Sequence, residues 1–547
     1  MTWKPVGCPR AARAASLAIA PVLVLAACLA RPAPIGTYDV TGAGAAGDGR
    51  TLDTAAINRA IERAAAAGGG TVHFPPGRYL SHSIRLRRNV TLSLGPGAVI
   101  AAAAPDGEAG YDPAEPNPWG DTHHYQDFGH SHWHDSLIWG ENLENVSIVG
   151  PGMIDGSGGL DREDALRPGA GNKILALKLC RNVLVRDVTM VRGGHFCILA
   201  TGVDNLTVDN VRIDTNRDGI NIDCCRNVRI SNCTINSPND DALVLKSSFA
   251  LGRARATENV TIANCQVSGY DIGTLLDGTF GRTQQRAPDN DGVTGRIKFG
   301  TESNGGFRNI AISNCVFEHC RGLALETVDG GLLEDVAISN ITMRSITNSP
   351  LFLRLGSRMR GPGGTPVGAM RRILVSNLLV SDADPRYASI ISGIPGHRIE
   401  DVTLSNVRIL YRGGIRLEQV AAQPAHLVNT FFFRALGGPQ PREPYETPER
   451  ENDYPEPSMF GLIPAYGLFV RHVDGLDVAH LDVGWMEEDT RPAFFLEDVR
   501  GARFSHVRAD GAAGVPAFVL RRVEDFRADR CNRLPETRID RAEDHYF

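Results

Sequence analysis

The sequence predicts an all-β protein: a right-handed, single-stranded parallel β-helix with an N-terminal capping helix. Three observations predict this fold. A phrase of the form Asn-apolar-x-apolar recurs along the chain, the recurrences are often close to 22 residues apart, and β-branched residues alternate between turns of Asn, Gly and Asp. The phrase starts at Asn145, Asn182, Asn205, Asn227, Asn259, Asn309, Asp335 and Asp401.

The spacing of the phrase defines the coil. It recurs after 23 residues from Asn182 to Asn205 and after 22 from Asn205 to Asn227, while the wider gaps that follow imply loops inserted at a turn. This period is typical of a solenoid whose coils each contain three short strands. Neighbouring coils lie about 4.8 Å apart, so equivalent residues stack in ladders along the axis. A leucine-rich repeat would need a leucine lattice, which this chain lacks.

The two ends of the solenoid have different signals. Residues 53–66 have an amphipathic helix pattern with Asp53 or Thr54 as N-cap, and the strand 71–74 follows. We expect this helix to cap the first coil. Residues 437–457 are rich in Pro and Glu and predict a long loop within a β-helix domain spanning 41–530, with 531–547 as a C-terminal tail.

Composition excludes one class of partner. The 547 residues include 57 Lys+Arg and 63 Asp+Glu, giving a net charge of −6 with no basic block. Nucleic acid binding needs a surface that neutralises phosphates, so we expect no nucleic acid partner.

The first 27 residues are typical of an export signal. Three basic residues precede an apolar stretch, 14–27, that is too short to span a bilayer. Leu25-Ala26-Ala27-Cys28 resembles the lipobox of bacterial lipoproteins, in which Cys28 takes the lipid. The alternative is ordinary cleavage near Ala30.

These signals predict the location of the protein. We expect a lipoprotein-type signal peptide at 1–27 and a tether at 28–40, hence a periplasmic or outer-membrane lipoprotein. Ordinary cleavage would instead give a secreted protein. We expect membrane contact only through the lipid anchor, and a monomer.

Three cysteines fit one ladder. Cys233, Cys265 and Cys315 each lie six residues after a leading Asn, where other coils have Val188, Val211 and Ile341. A residue that exchanges with Val and Ile in this way is a small core residue, so we expect buried thiols. A Cys315–Cys320 bridge is the alternative.

Carboxylates recur at one phase of neighbouring coils. Asp218 lies 13 residues after Asn205, and Asp240 and Asp241 lie 13 and 14 after Asn227. The sequence therefore predicts three stacked carboxylates. Like charges at close range raise the pKa of one of them, which suits a general acid beside a base. Taken singly, each motif also has the composition of an ordinary turn.

Further motifs carry a family resemblance. The segments 47–54, 68–77 and 150–156, together with Asn216-Arg217-Asp218-Gly219 and Asp240-Asp241, resemble glycoside hydrolase family 28, the polygalacturonase and rhamnogalacturonase family. The resemblance implies that Asp240 is the general acid and that Asp218 and Asp241 hold and deprotonate water. It also implies an inverting enzyme, with acid and base about 6.5–9.5 Å apart. No cofactor or metal is expected.

Two family motifs are absent. Gly-His-Gly should fall just before Gly300, where residues 294–300 contain no His. The basic Arg-Ile-Lys motif should fall at Ala324-Leu325-Glu326. The string Arg296-Ile297-Lys298 occurs one coil too early to be equated with it. The family Thr of Asn-Thr-Asp-Gly is Arg217 here.

Phase counting nevertheless places two of these residues on the side of the carboxylates. Lys298 lies 11 residues before Asn309, and Asn216 likewise lies 11 residues before Asn227. Glu326 lies nine residues before Asp335, and Asp218 lies nine residues before Asn227. We expect Lys298 and Arg296 to bind an acidic or hydroxyl group of a sugar. Glu326 would repel a substrate carboxylate, or would simply pair with Lys298.

Other candidate substrate contacts are Asn216, His195 and Lys246. His195 could equally be a structural histidine. The histidine-rich stretch 123–135 could line a sugar cleft, with Trp133 and Tyr125 stacking on a pyranose. A transition-metal site there is the alternative.

Together these features predict an inverting glycoside hydrolase. The expected partner is a plant cell-wall polysaccharide or oligosaccharide of pectin type, polygalacturonate, rhamnogalacturonan or another galacturonate-containing chain. The alternatives are a β-helix polysaccharide lyase or epimerase, and a non-catalytic carbohydrate-binding surface protein. Loops at 277–293 and 437–457 could flank or block the groove.

Overall fold

A computed structural model describes residues 36–106, 109–120, 124–162 and 167–547. The predicted signal peptide, Cys28, residues 28–35 of the predicted tether and His123 lie outside the described residues. Within these ranges, no helix combines the length and hydropathy that crossing a membrane requires.

The described chain is dominated by short strands. In the first half they are β1 (Gly36–Asp39), β2 (Asp48–Leu52), β3 (Gly70–Phe74), β4 (Gly77–Ser81), β5 (Ile84–Arg85), β6 (Val90–Leu94), β7 (Ala98–Ala102), β8 (Ser136–Glu141), β9 (Glu144–Val149), β10 (Met153–Asp155), β11 (Lys173–Lys178), β12 (Arg181–Arg186), β13 (Thr189–Val191), β14 (Phe196–Thr201), β15 (Asp204–Asp209), β16 (Arg212–Asp214), β17 (Asp218–Asp223), β18 (Arg226–Ser231), β19 (Thr234–Asn236), β20 (Leu243–Ser247), β21 (Thr257–Ala263) and β22 (Gln266–Ser268).

The later strands are longer, because successive faces of a coil merge without an interrupting turn. They are β23 (Ile297–Ser303), β24 (Phe307–Ser313), β25 (Val316–Glu318), β26 (Leu323–Thr327), β27 (Leu332–Ile346), β28 (Leu351–Leu355), β29 (Ala369–Ala383), β30 (Ser389–Ser392), β31 (Ile399–Gly413), β32 (Leu468–Glu487), β33 (Phe494–Ser505), β34 (Arg508–Ala509), β35 (Phe518–Asp529) and β36 (Thr537–Tyr546).

Helices are few and short. The α-helices are α1 (Thr54–Ala66), α2 (Thr274–Asp277) and α3 (Leu417–Ala422), and 3₁₀ turns occupy Thr41–Ala43, Phe128–Ser131, Thr430–Leu436 and Pro457–Phe460.

The strands wind into a right-handed parallel β-helix, which confirms the predicted fold class. One face, called face A here, carries the predicted site. It runs through β5, β8, β11, β14, β17, β20, β23, β26, β28 and β30 into the first residues of β32, β33 and β35. The other two faces stack in the same parallel register and complete each coil.

The leading Asn of the repeat has two structural roles. Asn205 and Asn227 have φ angles of 56° and 55°, a left-handed conformation that Asn tolerates better than most residues. The side chains also form an amide ladder: Asn227 Nδ2 donates to Asn205 Oδ1 at 3.2 Å, and Asn259 Nδ2 donates to Asn227 Oδ1 at 3.1 Å. The turn and the ladder explain why this residue recurs once per coil.

The interior of the coils is apolar and includes the cysteine ladder. Cys233, Cys265 and Cys315 are buried free thiols, as predicted, and Cys320 is also free and buried. The bridge considered between Cys315 and Cys320 is therefore not formed. Each thiol stacks on the next coil, where burial favours a small apolar side chain.

Helix α1 closes the N-terminal coil. Its buried residues, including Ile57 and Ile61, pack into the core cluster. Asp53 precedes the helix as predicted, but its carboxylate accepts hydrogen bonds from the backbone N–H groups of Ala46 and Gly47, at 2.6 and 3.0 Å, instead of capping the helix. The N-cap candidate therefore ties the preceding loop to the helix start.

The C-terminal end of the solenoid is also covered. Residues 531–547, expected to form a tail, contain β36, which pairs antiparallel with β35. The antiparallel strand interrupts the parallel ladder of the coils at β35.

The segment 414–467 crosses the outer side of face A. Met459, Phe460 and Ile463 pack on Phe352 and Ile390, which point outward from the face, to form a second apolar cluster. The segment before β8 covers the N-terminal part of face A in a similar way. Its Trp133 packs on Ala176, Phe196 and Leu199. Strands β17 and β20 lie between the strands on which these two clusters are centred.

Candidate functional site

The predicted carboxylates meet on face A. Asp218 begins β17, and Asp241 lies beside it immediately before β20. The backbone N–H of Asp241 donates to Asp218 Oδ1 at 3.1 Å, and the N–H of Gly219 donates to the Asp241 carbonyl at 3.0 Å. One oxygen each from Asp218, Asp240 and Asp241 lie within 4.8 Å of one another. Phase counting therefore predicts this cluster, but its spacing is tighter than the 6.5–9.5 Å expected from the resemblance.

The three carboxyls differ in environment. Asp218 and Asp241 are 4% and 5% exposed, whereas the Asp240 side chain is 33% exposed. Burial and the neighbouring Asp240 raise the pKa of Asp218 well above its usual range. Burial would also raise the pKa of Asp240, but Arg217 and the hydrogen bond from Asp218 lower it to about 2. These surroundings favour the protonated form of Asp218 and the ionised form of Asp240.

Arg296 fixes Asp241 from the next coil. Its Nε donates to Asp241 Oδ1 at 2.8 Å, and its other two nitrogens donate to Glu456 at 3.1 and 2.7 Å. Arg296 is buried. The expectation that Arg296 binds a sugar directly is thus replaced by a supporting role, because all of its donor groups face protein carboxylates.

Lys298 and Glu326 form a buried ion pair behind the cluster. Lys298 Nζ lies 3.5 Å from Glu326 Oε2 and 3.7 Å from Asp241 Oδ2. Burial raises the pKa of Glu326 to about 7, although Lys298 and Arg296 oppose this. Glu326 is 0% exposed, so it does not present its carboxylate to a substrate as we expected. The alternative, a Glu326–Lys298 pair, is what the structure shows.

The register explains why phase counting misplaces these residues. Lys298 pairs with Val244, at the level of Asn221, and not at the level of Asn216. From Phe299 to Arg308 the chain advances nine residues, against four between the aligned residues Ile222 and Arg226, and two of these five extra residues lie in a bulge of β23. A bulge of this kind shifts every residue counted back across it.

Lys246 points outward from face A beside the cluster. Its Nζ donates to Glu302 at 2.7 Å, and the side chain is mostly buried. Burial would lower the pKa of Lys246, but Glu302 and Asp218 raise it. The ammonium group remains close enough to Asp218 to act electrostatically on it. Asn216 is half-buried in the turn before β17.

His195 is buried one coil before the carboxylates, so its place is structural. Its Nε2 lies 3.3 Å from Asp127 Oδ1, and its Nδ1 accepts from Arg217 at 2.5 Å. Arg217 also reaches Asp240 with its Nε at 3.3 Å. His195 therefore reaches the carboxylates indirectly, through Arg217.

Sequence reasoning missed three residues that complete the site. Glu456 and Tyr454 come from the predicted loop 437–457, and Asp127 comes from the histidine-rich stretch. Tyr454, 47% exposed, lies with its hydroxyl 3.3 Å from Lys298 Nζ. No periodic signal marks them, because they belong to inserted segments that lie outside the coil repeat.

The aromatic residues of the stretch 123–135 do not line a cleft as expected. Trp133 is fully buried, donates to Thr201 Oγ1 at 3.0 Å and is covered by Lys178. Tyr125 stacks on Phe249, with ring centroids 5.3 Å apart. Both side chains hold residues 124–135 in place.

Two groups of described residues have the donor atoms of a metal site: Glu115, His134 and Glu141, and the three aspartates. Lys178 Nζ lies 3.1 Å from Glu141 and 3.6 Å from Glu115, so a cation already occupies the first group. In the second group, Asp240 pairs with Arg217, and Asp241 pairs with Arg296 and Lys298. Neither arrangement fits a resident divalent ion.

Comparison with protein families supports the resemblance. Residues 122–275, which contain Asp218, Asp240 and Asp241, match the family described as Glycosyl hydrolases family 28. This match and the carboxylate cluster place the chain's similarity with glycosyl hydrolase family 28. Residues 37–115 match the family described as Rhamnogalacturonase A/epimerase, pectate lyase-like.

Individual family 28 relatives are distant. A probable polygalacturonase of Vitis vinifera is 25% identical over 331 residues, covering 55% of this chain and 60% of that protein. This chain spans about 60% of the length of the curated relatives it matches.

Solved structures share the fold. An exopolygalacturonase from Thermotoga maritima has a TM-score of 0.56 at 22% identity, covering 69% of this chain and 88% of that chain. A family 28 exopolygalacturonase from Yersinia enterocolitica has a TM-score of 0.55 at 16% identity, covering 90% and 78%.

Proposed function

We propose that this protein is a glycoside hydrolase that cleaves a galacturonate-containing, pectin-type polysaccharide or oligosaccharide. The observation that carries the proposal is the cluster of Asp218, Asp240 and Asp241, whose oxygens lie within 4.8 Å on neighbouring coils. The match of residues 122–275 to family 28 and the similarity to a probable polygalacturonase support the substrate class.

The chemistry requires one carboxylic acid and one carboxylate. The acid protonates the glycosidic oxygen as the bond to the anomeric carbon breaks, and the carboxylate takes a proton from the attacking water. The cluster provides both forms at one pH, because burial and like charge raise the pKa of Asp218 while Arg217 and its other neighbours lower that of Asp240.

The alternative of a lyase or epimerase needs a base that removes a carbon-bound proton. Arg296 and Lys298, the basic candidates, are buried and face carboxylates. Burial would lower the pKa of Lys298, but Glu326 and its other neighbours raise it, so the amine stays protonated. A protonated amine cannot accept a proton, which favours hydrolysis.

The surroundings of the cluster favour attack at a chain end. Asp127 contacts Arg217 on one side, Tyr454 contacts Lys298 on the other, and Gln284 of the loop 277–293 donates to Asn239. Three inserted segments thus surround the carboxylates. Segments placed around a site in this way admit the end of a saccharide more readily than the middle of a polymer.

The test is product analysis on homogalacturonan, rhamnogalacturonan and their oligomers. We expect new reducing ends without the absorbance of an unsaturated product, unaffected by a chelator. Asp240→Asn and Asp218→Asn should each lower kcat roughly 10²–10⁴-fold. Asp474→Asn, an exposed aspartate on a distant coil, is the matched control.

Two outcomes would overturn this function. An unsaturated product would select the lyase, and binding without turnover that is equal in Asp240→Asn and the parent would select a carbohydrate-binding protein. Loss of viscosity far ahead of reducing ends would contradict chain-end attack. Proton NMR of the first product tests the inverting outcome that the family resemblance implies.

We also propose that the enzyme works outside the cytoplasm as a lipoprotein anchored through Cys28. The support is the sequence of residues 1–28 alone. Metabolic labelling with a fatty-acid analogue should modify the protein but not its Cys28→Ala variant, and labelling of both or neither would contradict the proposal.

A further inference from the structure

A groove of about 770 Å³ lies at the turns that lead into face A, on coils that follow the carboxylate cluster. Residues of four successive coils line one side of it, among them His319, Thr347, Asp384 and Arg412. Coils about 4.8 Å apart give this side a length of about 14 Å. Ligand sites in proteins typically have volumes of about 300–1,000 Å³, so this groove, called the side groove here, can hold part of a polymer.

Two inserted segments complete the lining of the side groove. The loop 277–293 contributes Arg282 and Arg286, and the segment 425–430 contributes His426. All three residues are exposed. The side groove therefore presents basic side chains from two separate parts of the chain.

The loop 277–293 also borders the carboxylate cluster. Its Gln284 donates to Asn239, which directly precedes Asp240, and to the carbonyl of Arg286 at 3.0 Å. One loop thus contributes both to the surroundings of the cluster and to the side groove.

Two arginines of the side groove are paired with carboxylates. Arg386 lies 2.8 Å from Asp384 and 2.7 Å from Asp291, and Arg412 Nε donates to Asp382 Oδ1 at 2.7 Å. These pairs neutralise the side of the groove that the coils form.

The loop side of the groove has the surplus of positive charge. Arg282 and Arg344 share one carboxylate, that of Glu318, which accepts from them at 2.6 and 3.2 Å. Arg286 has no carboxylate oxygen within 4.0 Å among the described residues. Among the residues that line the groove and their ion-pair partners, positive charge therefore exceeds negative charge at this end.

His319 adds an unpartnered hydrogen-bonding atom. It is 8% exposed, and its Nε2 has no hydrogen-bond partner among the described residues. Burial and the nearby Arg282 lower the pKa of His319, so its ring is neutral near pH 7. Buried polar atoms in native proteins are nearly always hydrogen-bonded, so an unpartnered nitrogen in the lining of a groove suits a ligand hydroxyl.

We propose that the side groove is an accessory binding site for an anionic saccharide. Arg286 binds a carboxylate of the saccharide from the loop, and His426 donates to it from the segment 425–430. His319 forms a hydrogen bond with a hydroxyl of the same chain.

This inference rests on the proposed glycoside hydrolase function, which supplies the ligand. A galacturonate chain whose end lies at the carboxylate cluster carries a carboxylate on each following unit. Such a chain can cross the loop 277–293 and place those units in the side groove. Arg286 makes an ionic contact only with an acidic unit, so a neutral chain binds there less tightly.

The first test measures binding without turnover. Isothermal titration in an Asp240→Asn background gives the Kd of a long oligogalacturonate and of digalacturonate. We expect Arg286→Gln and His426→Gln each to raise the Kd of the long oligomer roughly 2–5-fold. The Kd of digalacturonate should change much less, because a dimer at the cluster does not reach the side groove.

Arg229→Gln is the matched control, because Arg229 is an exposed arginine on β18, away from face A. It should bind both ligands as the parent does. An unchanged Kd of the long oligomer in the Arg286→Gln/His426→Gln double variant, folded by circular dichroism, would overturn the proposal. An equal loss of affinity for a fully methyl-esterified oligomer would overturn the assignment to an anionic ligand.

The second test reads the reaction. In the otherwise unmodified protein, the double variant should raise KM for a long substrate more than for a short one, and kcat should change less than KM. Loss of oligomer binding in the double variant with no turnover by the parent would support the side groove and overturn the glycoside hydrolase function. Turnover with an unchanged KM for the long substrate would support hydrolysis and overturn the side groove.

Discussion

Glu456 holds Arg296 through two hydrogen bonds of 3.1 and 2.7 Å, although 160 residues separate them in the chain. Both side chains are almost fully buried. Glu456 also lies 3.4 Å from Arg321 and accepts from Asn348 at 3.1 Å. Because Arg296 in turn holds Asp241, the segment 437–457 is part of the site and does more than cover it.

Glu456→Gln should be strongly destabilising. It removes one of the two carboxylates that each buried arginine contacts, leaving Arg296 with Asp241 and Arg321 with Asp289. Breaking a buried ion pair typically costs about 3–5 kcal/mol. Burial would raise the pKa of Glu456, but the two arginines lower it to about 2. Its contribution is therefore full above pH 4.5 and is lost as the pH falls toward 2.

Urea unfolding of Glu456→Gln at several pH values checks this prediction. The difference from the parent should be largest at pH 7 and should shrink in acid. Glu443→Gln, at an exposed position of the same segment, is the control. A pH-independent difference would contradict the ionic explanation.

Periodicity made the fold and the carboxylate cluster predictable. Asp218 and Asp241 lie in coils of nearly constant length, so counting from Asn205 and Asn227 places them side by side. The same count fails for Lys298, because five extra residues, two of them in a bulge of β23, separate its level from Asn309.

Residues from the inserted segments were beyond the reach of sequence reasoning. Glu456, Tyr454 and Asp127 reach the site through long-range packing, and no repeat fixes their position. The composition of 437–457 indicates a loop, but it does not show where the side chain of Glu456 points. Arg217 was visible in the sequence only as a departure from the family motif.

Glu326 should make stability depend on pH near neutrality. Burial raises its pKa to about 7, above the unfolded value of about 4.5. The folded state thus binds this proton more tightly, and the resulting stability is full below pH 4.5 and is lost as the pH rises through 7. The loss corresponds to about 3 kcal/mol.

Glu326→Gln mimics the protonated form and should remove this dependence. We expect the variant and the parent to have similar free energies of unfolding at pH 4, with the variant more stable at pH 8. Glu400→Gln, an exposed control, should follow the parent. A variant that is less stable at pH 8 would show that the charged pair with Lys298 is worth more than its burial costs.

The asparagine ladder allows backbone and side-chain effects to be separated. Asn227→Gly keeps the left-handed turn, with φ at 55°, but removes the amide contacts to Asn205 and Asn259. Its expected cost is about 1 kcal/mol. Asn227→Val also forces a branched side chain into that turn, which adds roughly 1–2 kcal/mol.

Urea unfolding of both variants, with Arg229→Gln on the same coil as control, tests this order. Equal stability of the Gly and Val variants would show that the amide ladder, and not the turn, decides the choice of Asn.

Tyr454 is the exposed aromatic residue beside the cluster. Lys298 Nζ lies 5.2 Å from its ring centroid, and 47% of the residue remains accessible. An aromatic ring at the mouth of a recess offers a face on which a sugar ring can stack. We expect Tyr454→Ala to raise KM roughly 2–10-fold, from about 0.5–1.5 kcal/mol of lost contact, with little change in kcat.

Tyr454→Phe separates stacking from the hydroxyl contact to Lys298. It should keep the parent KM, and Tyr546→Ala, at an exposed tyrosine on the terminal strand β36, should change neither parameter. Steady-state kinetics on oligogalacturonides measures these effects. If Tyr454→Phe raised KM as much as Tyr454→Ala, the hydroxyl and its hold on Lys298 would be the important group, and the substrate would depend on the placement of that ammonium.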